Sequence, residues 1–494
     1  MTAYKDAIRA LNALQIPRIL PPRALATPGD RLLAFETHVE ESGLHLDDLD
    51  KLNVVHVAGT KGKGSCCAFV ESILRNKGFK TGFFSSPHML CVRERFRING
   101  IPISEERFVE LFWRIHKCLC RDASKLEMVR YFQFLTIMAF HLFLESKVDV
   151  AIIEVGVGGT YDSTNVIRNP VVCGITRLDY DHTVTLGSHI KDIAWNKAGI
   201  LKPGSVAVTV PQEEAAFKVI AQRAVDVKCS LYVCPSWDDY CIRHNAQPVV
   251  VGIAGKHQLE NASLAVQLVR LWSFRTGNAK EENEDRPAKF LSTLKAGCIS
   301  DNEALGLSRC TWPGRSQKVT ANGINFYLDG AHTLLSMQCC VDWFHSSSDK
   351  VKRSFRILIF HCTKGRQPEQ LLPPLITLGF QYALFSPPRI TLSDDSSCDV
   401  ASLTTITEST EEAVSSHHAA WIQLTSSMHD CPPCITRCFK CVNDAYDFVN
   451  GITASVPVND QTSIDVLVTG SLYLVGAFLS LLDPDLSGTI STSS

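Results

Sequence analysis

Short apolar runs that end in polar or glycine-rich turns recur along this chain, at 52–58, 148–155, 171–176, 206–210, 324–328, 355–360 and 464–469. Between them lie longer segments whose apolar residues return at helical spacing, at 104–119, 129–146 and 257–272. A helix between two strands supplies the crossover that parallel pairing needs, and a run that is apolar throughout is one buried on both faces. The alternation therefore predicts an α/β fold, a parallel sheet with helices on both faces. In such sheets ligands sit beyond the carboxyl ends of the strands, so the polar residues closing each run are the ones to read for chemistry.

A length of 494 residues exceeds what one core organises and predicts two domains, at 1–300 and 301–494. The boundary is placed after the charged, apolar-poor stretch 278–289, with a surface insertion at about 390–418 and a frayed end from 486. With a formal net charge of −2 the chain has no global basic field, which argues against nucleic acid and anionic membrane as partners. No apolar run reaches the roughly 18 residues of a membrane span. The 19 cysteines are scattered, several within apolar runs (Cys66, Cys67, Cys173, Cys339, Cys340), where they act as small hydrophobes. The expectation is a reduced, soluble, intracellular protein. Residues 4–11 read as the start of an amphipathic helix rather than a signal peptide.

The run His56-Val57-Ala58-Gly59-Thr60-Lys61-Gly62-Lys63-Gly64-Ser65 carries the clearest chemistry. A strand, a glycine-rich turn and a helix together present backbone N–H groups to phosphate oxygens. Lys63 would add a point charge and Ser65 a hydroxyl for Mg²⁺. The run departs from the strict P-loop, because Gly64 separates Lys63 from Ser65, and a plain structural turn stands beside the functional reading. Other strand ends offer similar pairs of readings. Glu154, before Gly156, Gly158 and Gly159, is placed to hold Mg²⁺ or points into water. His182, in Asp179-Tyr180-Asp181-His182, is a metal ligand, a hydrogen-bond donor or a structural histidine. Lys197 lies among apolar neighbours, where desolvation makes an amine reactive, or it snorkels to water. Arg315 suits a phosphate oxygen, Asn261 a base edge, and Asp329-Gly330-Ala331-His332 again pairs acid and imidazole at a strand end.

Taken in order, these segments resemble the folylpolyglutamate synthases of the Mur ligase superfamily, in their eukaryotic form. The motifs are 56–65, 82–88, 92–95, 154–165, 181–183, 193–199, 312–315, 329–332 and 468–471, spanning nearly the whole chain. The resemblance implies a P-loop ATPase-type N-terminal domain and a smaller Rossmann-like C-terminal domain. It also implies a reaction: ATP phosphorylates the γ-carboxylate of a folate, and the amine of L-glutamate attacks the acyl phosphate. Gly59, Thr60, Lys61, Gly62, Lys63, Gly64, Ser65, Asn261, Arg315, Asp329 and His332 would then contact ATP, the last two from the second domain. Ser65, Ser86, Glu154, His182 and a carbamylated Lys197 would serve the metal, with Lys63, His182 and Lys197 in catalytic roles. Pro87, His88, Arg93, Arg95, Tyr131, Phe132 and Phe134 would flank folate, although a helix face packed in the core is an equal reading of the aromatics.

The implied cofactors are ATP and Mg²⁺, with a monovalent cation such as K⁺ also admitted. The implied partners are folate, L-glutamate and ATP, acting on a monomer in the cytoplasm, with a mitochondrial form through an alternative N-terminus. A dihydrofolate synthase or bifunctional ligase shares the same phosphate chemistry, and a silent nucleotide-binding protein is the alternative from another class. Relatives usually carry Thr at the position of Ala58 and Thr or Ala at that of Cys66, changes that leave Lys63 and Ser65 in place. The thiols Cys431, Cys434, Cys438 and Cys441 leave three residues between the two pairs, shorter than zinc knuckles require, and are read as no metal site.

Overall fold

A computed structural model describes residues 2–15, 28–119, 129–241, 243–244, 247–278, 291–348, 353–363, 365–391, 399, 410–427, 433–453 and 462–484. The stretch 279–289, most of the expected insertion, Cys431 and the end from 486 lie outside the described residues. The chain divides into two compact units. One comprises Met1–His88, Val92–Gly252 and Gln258–Cys310, the other Met89–Cys91, Ile253–His257 and Thr311–Ser494.

The first unit is built on an eight-stranded sheet. Its order is Ile101–Pro102 (β4), Phe96–Ile98 (β3), Thr81–Phe84 (β2), Val150–Glu154 (β5), Val55–Ala58 (β1), Val172–Ile175 (β6), Val206–Thr209 (β7) and Ser230–Val233 (β8). From β2 to β8 all pairs are parallel. The central strands β1, β5 and β6 are buried at every position, as apolar runs without alternation require. Their register sets Val57 beside Glu154 and Ala58 beside Ile175, so the segments after β1, β5 and β6 leave one edge side by side.

The edge departs from the parallel expectation. β3 pairs antiparallel with both β2 and β4, and the β3–β4 turn is Asn99-Gly100, with φ of 51° and 78°. Positive φ at both central residues is the hairpin geometry that Asn-Gly adopts most readily. A further antiparallel pair, Arg243–His244 (β9) with Gln247–Pro248 (β10), stands apart from the main sheet.

The second unit holds a six-stranded sheet. Its order is Gln317–Ala321 (β11), Ile324–Asp329 (β12), Thr462–Thr469 (β16), Arg353–Phe360 (β13), Tyr382–Phe385 (β14) and Ile435–Cys438 (β15). All its pairs are parallel except β11 with β12, again turned by Asn-Gly, at Asn322-Gly323 with φ of 52° and 76°. Both units are thus α/β with sheets dominated by parallel pairs.

Two regions need correction or placement. The end of the expected insertion is not irregular: Thr410–Ser426 is a helix with Val414, His417, Ala420 and Trp421 buried. Spacings of three and four put those side chains on one face, which the Ser- and Thr-rich composition masks. The helix Asp301–Arg309, on the far side of residue 300, belongs to the first unit. There Ser72 Oγ donates to Gly306 O at 2.7 Å, and a Cβ on Gly306 would stand 2.5 Å from Ile73 Cα. The N-terminal helix Thr2–Ala13 buries Tyr4, Ala7, Ile8 and Leu11, as its amphipathic spacing predicts.

Candidate active site

β1 ends at Ala58, and the chain turns through Gly59-Thr60-Lys61-Gly62 into the helix Lys63–Asn76. Two turn positions require glycine. A Cβ on Gly59 (φ 150°) would stand 1.8 Å from Thr176 Oγ1, and one on Gly62 (φ 87°) 2.1 Å from Asn261 Oδ1. The Thr60 and Lys61 amides both donate to the Arg177 carbonyl at 3.0 Å, pinning the turn to the segment after β6. Lys63, Gly64 and Ser65 form the first turn of the helix, whose N–H groups have no acceptor within it. The Asn261 amide lies against Gly62 and donates to Gln258 Oε1 at 2.9 Å, so it lines the glycine turn itself.

Lys197 stands against the same turn. It closes the helix Ile190–Lys197, is buried, and donates from Nζ to the Gly59 carbonyl at 2.7 Å. Burial pushes its pKa well below the usual lysine value; Lys63 and Lys61 push the same way, while Asp181 and Asp162 oppose them. The sequence's alternative of a snorkelling lysine is therefore corrected: this amine has no path to water along its stem. Gly199 makes the packing possible, because a Cβ there would collide with Thr160 Oγ1 at 2.0 Å.

Two carboxylates outside the sequence-derived set complete this cluster. Asp181 pairs with Lys61 at 3.1 Å, both side chains largely buried. Asp162 accepts from the Val157 amide, the Thr164 amide and the Thr164 hydroxyl at 2.9, 3.0 and 2.7 Å, and burial raises its pKa. Asp followed two residues later by Thr is a capping signal legible in the sequence.

Glu154, at the end of β5, is buried and accepts the Ser86 amide on Oε2 at 3.0 Å. This links it to the loop after β2, where Ser86-Pro87 is a cis peptide. His182 is exposed, has φ 51°, and its amide donates to Asp181 Oδ1 at 3.0 Å. Among the described residues no three His, Cys, Asp or Glu side chains are grouped to hold a metal. Ser65, Ser86 and Glu154 are hard oxygen donors, a set that fits Mg²⁺ retaining water and phosphate ligands. Cys434, Cys438 and Cys441 form no such group either.

The folate candidates divide. Arg95 Nε donates to His88 Nδ1 at 2.9 Å, and its guanidinium lies 5.7 Å from the Tyr131 ring centroid. Phe132 stacks on Phe84 with centroids 5.7 Å apart, and a Cβ on Gly156 would meet its ring at 2.6 Å. Phe132 therefore packs against the chain two residues beyond Glu154. Arg93 is turned elsewhere, donating to Ile103 O at 2.9 Å and lying over Tyr4. Phe134 is wholly buried against Phe112, so for this ring the core reading holds.

In the second unit Asp329 closes β12 and accepts the Ser316 amide and hydroxyl at 2.8 and 3.3 Å. His332 Nδ1 lies 2.6 Å from Gly330 O. A carbonyl only accepts, so Nδ1 carries the proton of this bond. Arg366, which the sequence reading does not single out, donates from Nη1 to His332 O at 2.5 Å. A Cβ on Gly330 would approach Arg315 Nη1 at 3.1 Å, which places that guanidinium at the same strand end. Burial lowers the His257 pKa and Asp329 opposes it, bringing a further imidazole into this group.

No family model matches the chain. It is similar to the human mitochondrial folylpolyglutamate synthase, at 38% identity covering 98% of this chain and 92% of that one. A putative folylpolyglutamate synthase of Caenorhabditis elegans is also 38% identical, over 97% of this chain and 92% of its own. In fold it matches the Mycobacterium tuberculosis folylpolyglutamate synthase complexed with ADP, with a TM-score of 0.71 at 21% identity, over 98% and 99% of the two chains. Identity of that extent along nearly the full length of both chains shows that this chain belongs to the folylpolyglutamate synthase family.

Proposed function

We infer that the chain is an ATP-dependent ligase that adds L-glutamate to the γ-carboxylate of folate through an acyl phosphate. The observation that carries this is the 38% identity spanning 98% of the chain, from the helix before the phosphate turn to the last strand. The site chemistry agrees with it. A carboxylate resists attack by an amine until it is phosphorylated, and phosphorylation gathers negative charges that must be offset.

Lys63 and the N–H groups of the first helical turn offset charge on the terminal phosphates, with Gly59 and Gly62 letting the backbone approach. Lys61, tied to Asp181, orients the turn rather than the phosphates. Ser65, Ser86 and Glu154 would hold Mg²⁺, and His182, in the loop after β6, would serve the same ion. When bound, the metal supplies charge neutralisation at the phosphates. Burial lowers the Lys197 pKa, favouring the neutral form that a carbamate requires, and a carbamate nitrogen retains an N–H for the Gly59 carbonyl. It would add a carboxylate-like donor where a lysine otherwise adds a cation. Arg315, Asp329 and His332 are assigned to the nucleotide.

Arg95, His88, Tyr131 and Phe132 receive folate: the rings offer faces to a flat pterin, and Arg95 offers a fork to a carboxylate. The enzyme works in the cytoplasm as a monomer, with a mitochondrial form, in keeping with the human relative's name. The test is a product assay with ATP, L-glutamate and either tetrahydrofolate or dihydropteroate, read by mass. Glutamate added to tetrahydrofolate is the expected result. Use of dihydropteroate alone makes the chain a dihydrofolate synthase, and ADP release that never follows substrate makes it a silent nucleotide binder.

A further inference from the structure

β8 is the last strand of the eight-stranded sheet, and the stretch 291–299 runs beside it. Leu291 N donates to Leu231 O at 2.9 Å, Val233 N to Ser292 O at 3.2 Å and Leu294 N to Val233 O at 2.9 Å. Thr293 is thereby bridged in parallel to Val233, and the open edge is covered. Farther along, Cys298 forms a second parallel bridge, to Cys241. The Cys241 amide donates to Gly297 O at 3.0 Å, and the Ile299 amide donates to Cys241 O at 3.2 Å.

Directly bridged residues on neighbouring strands stand roughly 4.8 Å apart, inside the ~4.4–6.8 Å that a disulfide spans between Cα atoms. Their side chains leave the same face of the bridge. Both cysteines are exposed, and both are free thiols. Their backbones are held from below by one residue: Arg270 donates to Ala296 O at 2.5 Å and to Cys298 O at 2.7 Å, and lies over Tyr240, next to Cys241. Gln267 adds a bond to Lys295 O at 3.1 Å and one to the Tyr240 hydroxyl at 2.8 Å. The Cys241 thiol is the neighbour that raises the Cys298 pKa, in keeping with two side chains on one face of the bridge.

We propose that Cys241 and Cys298 are a redox-modification site, a dithiol that closes reversibly to a disulfide in exchange with a low-molecular-weight disulfide such as oxidised glutathione. One cysteine thiolate attacks a sulfur of the small disulfide, forming a mixed disulfide and releasing one small thiol. The second cysteine, as thiolate, attacks the protein sulfur of that mixed disulfide and releases the other. Two S–H bonds are lost, one S–S bond forms, and the small disulfide is reduced to two thiols. The product ties the segment that covers the sheet edge to the loop after β8. It closes a long loop in the unfolded chain and so raises the melting temperature.

Cys438, the third cysteine exposed among the described residues, lies in the other unit and serves as the internal control. The full-length protein is equilibrated with oxidised glutathione, its remaining thiols are alkylated, and the peptides are mapped by mass. The expected result is a Cys241–Cys298 cross-linked peptide lighter by two hydrogens, with Cys438 carrying glutathione. The oxidised protein should melt a few degrees higher than the reduced one. Cys241→Ser should leave Cys298 glutathionylated, and Cys298→Ser should leave Cys241 so. If both cysteines of the unaltered protein carry separate glutathiones or alkyl groups where Cys438 has reacted, the proposal is wrong.

Discussion

At the carboxyl edge of the eight-stranded sheet, charged side chains gather around one turn: Lys61, Lys63, Asp162, Asp181 and Lys197, with Glu154 at the end of β5. Near the amino edge of the six-stranded sheet, polar side chains close on a single fully buried carboxylate. Asp465 accepts from Asn325 Nδ2 at 2.9 Å, from Ser354 Oγ at 2.5 Å and from Ser463 Oγ at 3.3 Å, joining β12, β13 and β16. The sheets share a construction, parallel with one Asn-Gly hairpin edge, yet they use burial oppositely. At the first site cations stand close together and burial lowers the Lys197 pKa, an arrangement that an anionic ligand would relieve. At the second, hydrogen bonds to one carboxylate already compensate its burial. The first is the site proposed for a ligand, and the second serves the fold.

The largest test of that contrast is a set of three substitutions. Lys63→Ala should lower kcat by about a thousandfold, the scale of losing a charge that stabilises phosphoryl transfer, while leaving the melting temperature nearly unchanged. Lys197→Ala should abolish activity, with partial recovery on adding short carboxylic acids that replace the carbamate. Asp465→Ala should do the reverse of Lys63→Ala. It strands three buried donors and should cost about 3 kcal/mol in denaturant unfolding, with kcat unchanged in the protein that remains folded. A Lys63→Ala protein as unstable as Asp465→Ala would erase the distinction.

The sequence carried the parallel strands plainly, because runs such as 148–155 and 464–469 are too uniformly apolar for a one-sided sheet. It carried the turn glycines for the same kind of reason, since only glycine tolerates the backbone at Gly59 and Gly62. The two antiparallel edges were written there as well. Asn99-Gly100 and Asn322-Gly323 are strong hairpin signals, and a reading that followed helix–strand alternation passed over them. The partners of Lys197 were less legible. Asp162 follows β5 and Asp181 follows β6, and only the β1–β5–β6 register brings both to the turn after β1. The orientation of Arg93 away from Arg95 depends on Tyr4 and Ile103, contacts that no local spacing encodes. For the helix Thr410–Ser426, polar composition outweighed a helical period that was present.

A pH series compares the units next, at a smaller scale. Each contains two histidines that burial keeps neutral: His56 (about 3) and His141 (about 4) in the first, His361 (about 3) and His417 (about 4) in the second. Above pH 7 these rings are neutral both folded and unfolded, and they add no pH dependence. Below 6.5 the unfolded chain takes up protons that the folded chain refuses, so stability is lost as pH falls toward the folded values. At pH 5 the loss is about 2 kcal/mol for each histidine. Hydrogen exchange at pH 7 and pH 5 should show protection falling in both units, and His417→Gln should reduce the fall in the second alone. Protection unchanged at pH 5 would mean these rings are charged in the folded protein.

The smallest contrast lies in two helix caps of the same type. Ser300 caps Asp301–Arg309 by accepting the Glu303 amide at 3.4 Å, and its own amide donates to Glu303 Oε2 at 2.9 Å. Thr333 caps Leu334–Ser347 by accepting the Ser336 amide at 3.4 Å, and its amide donates to Ser336 Oγ at 3.0 Å. The boxes differ in what the returning side chain does next. Glu303 is nearly enclosed and also pairs with Arg270 at 2.8 Å, the arginine that holds the segment around Cys298. Ser336 is a neutral hydroxyl that can turn back onto the Thr333 carbonyl, 3.0 Å away. Removing the Ser300 hydroxyl therefore loosens the residue that carries one end of an ion pair, whereas removing that of Thr333 leaves the Ser336 hydroxyl still bonded to the Thr333 carbonyl. Ser300→Ala should cost about 1.5 kcal/mol and Thr333→Ala about 0.5 kcal/mol in urea unfolding. Equal costs would show that the caps act only through their own helices and that Arg270 does not carry the effect of the Ser300 cap to the sheet edge.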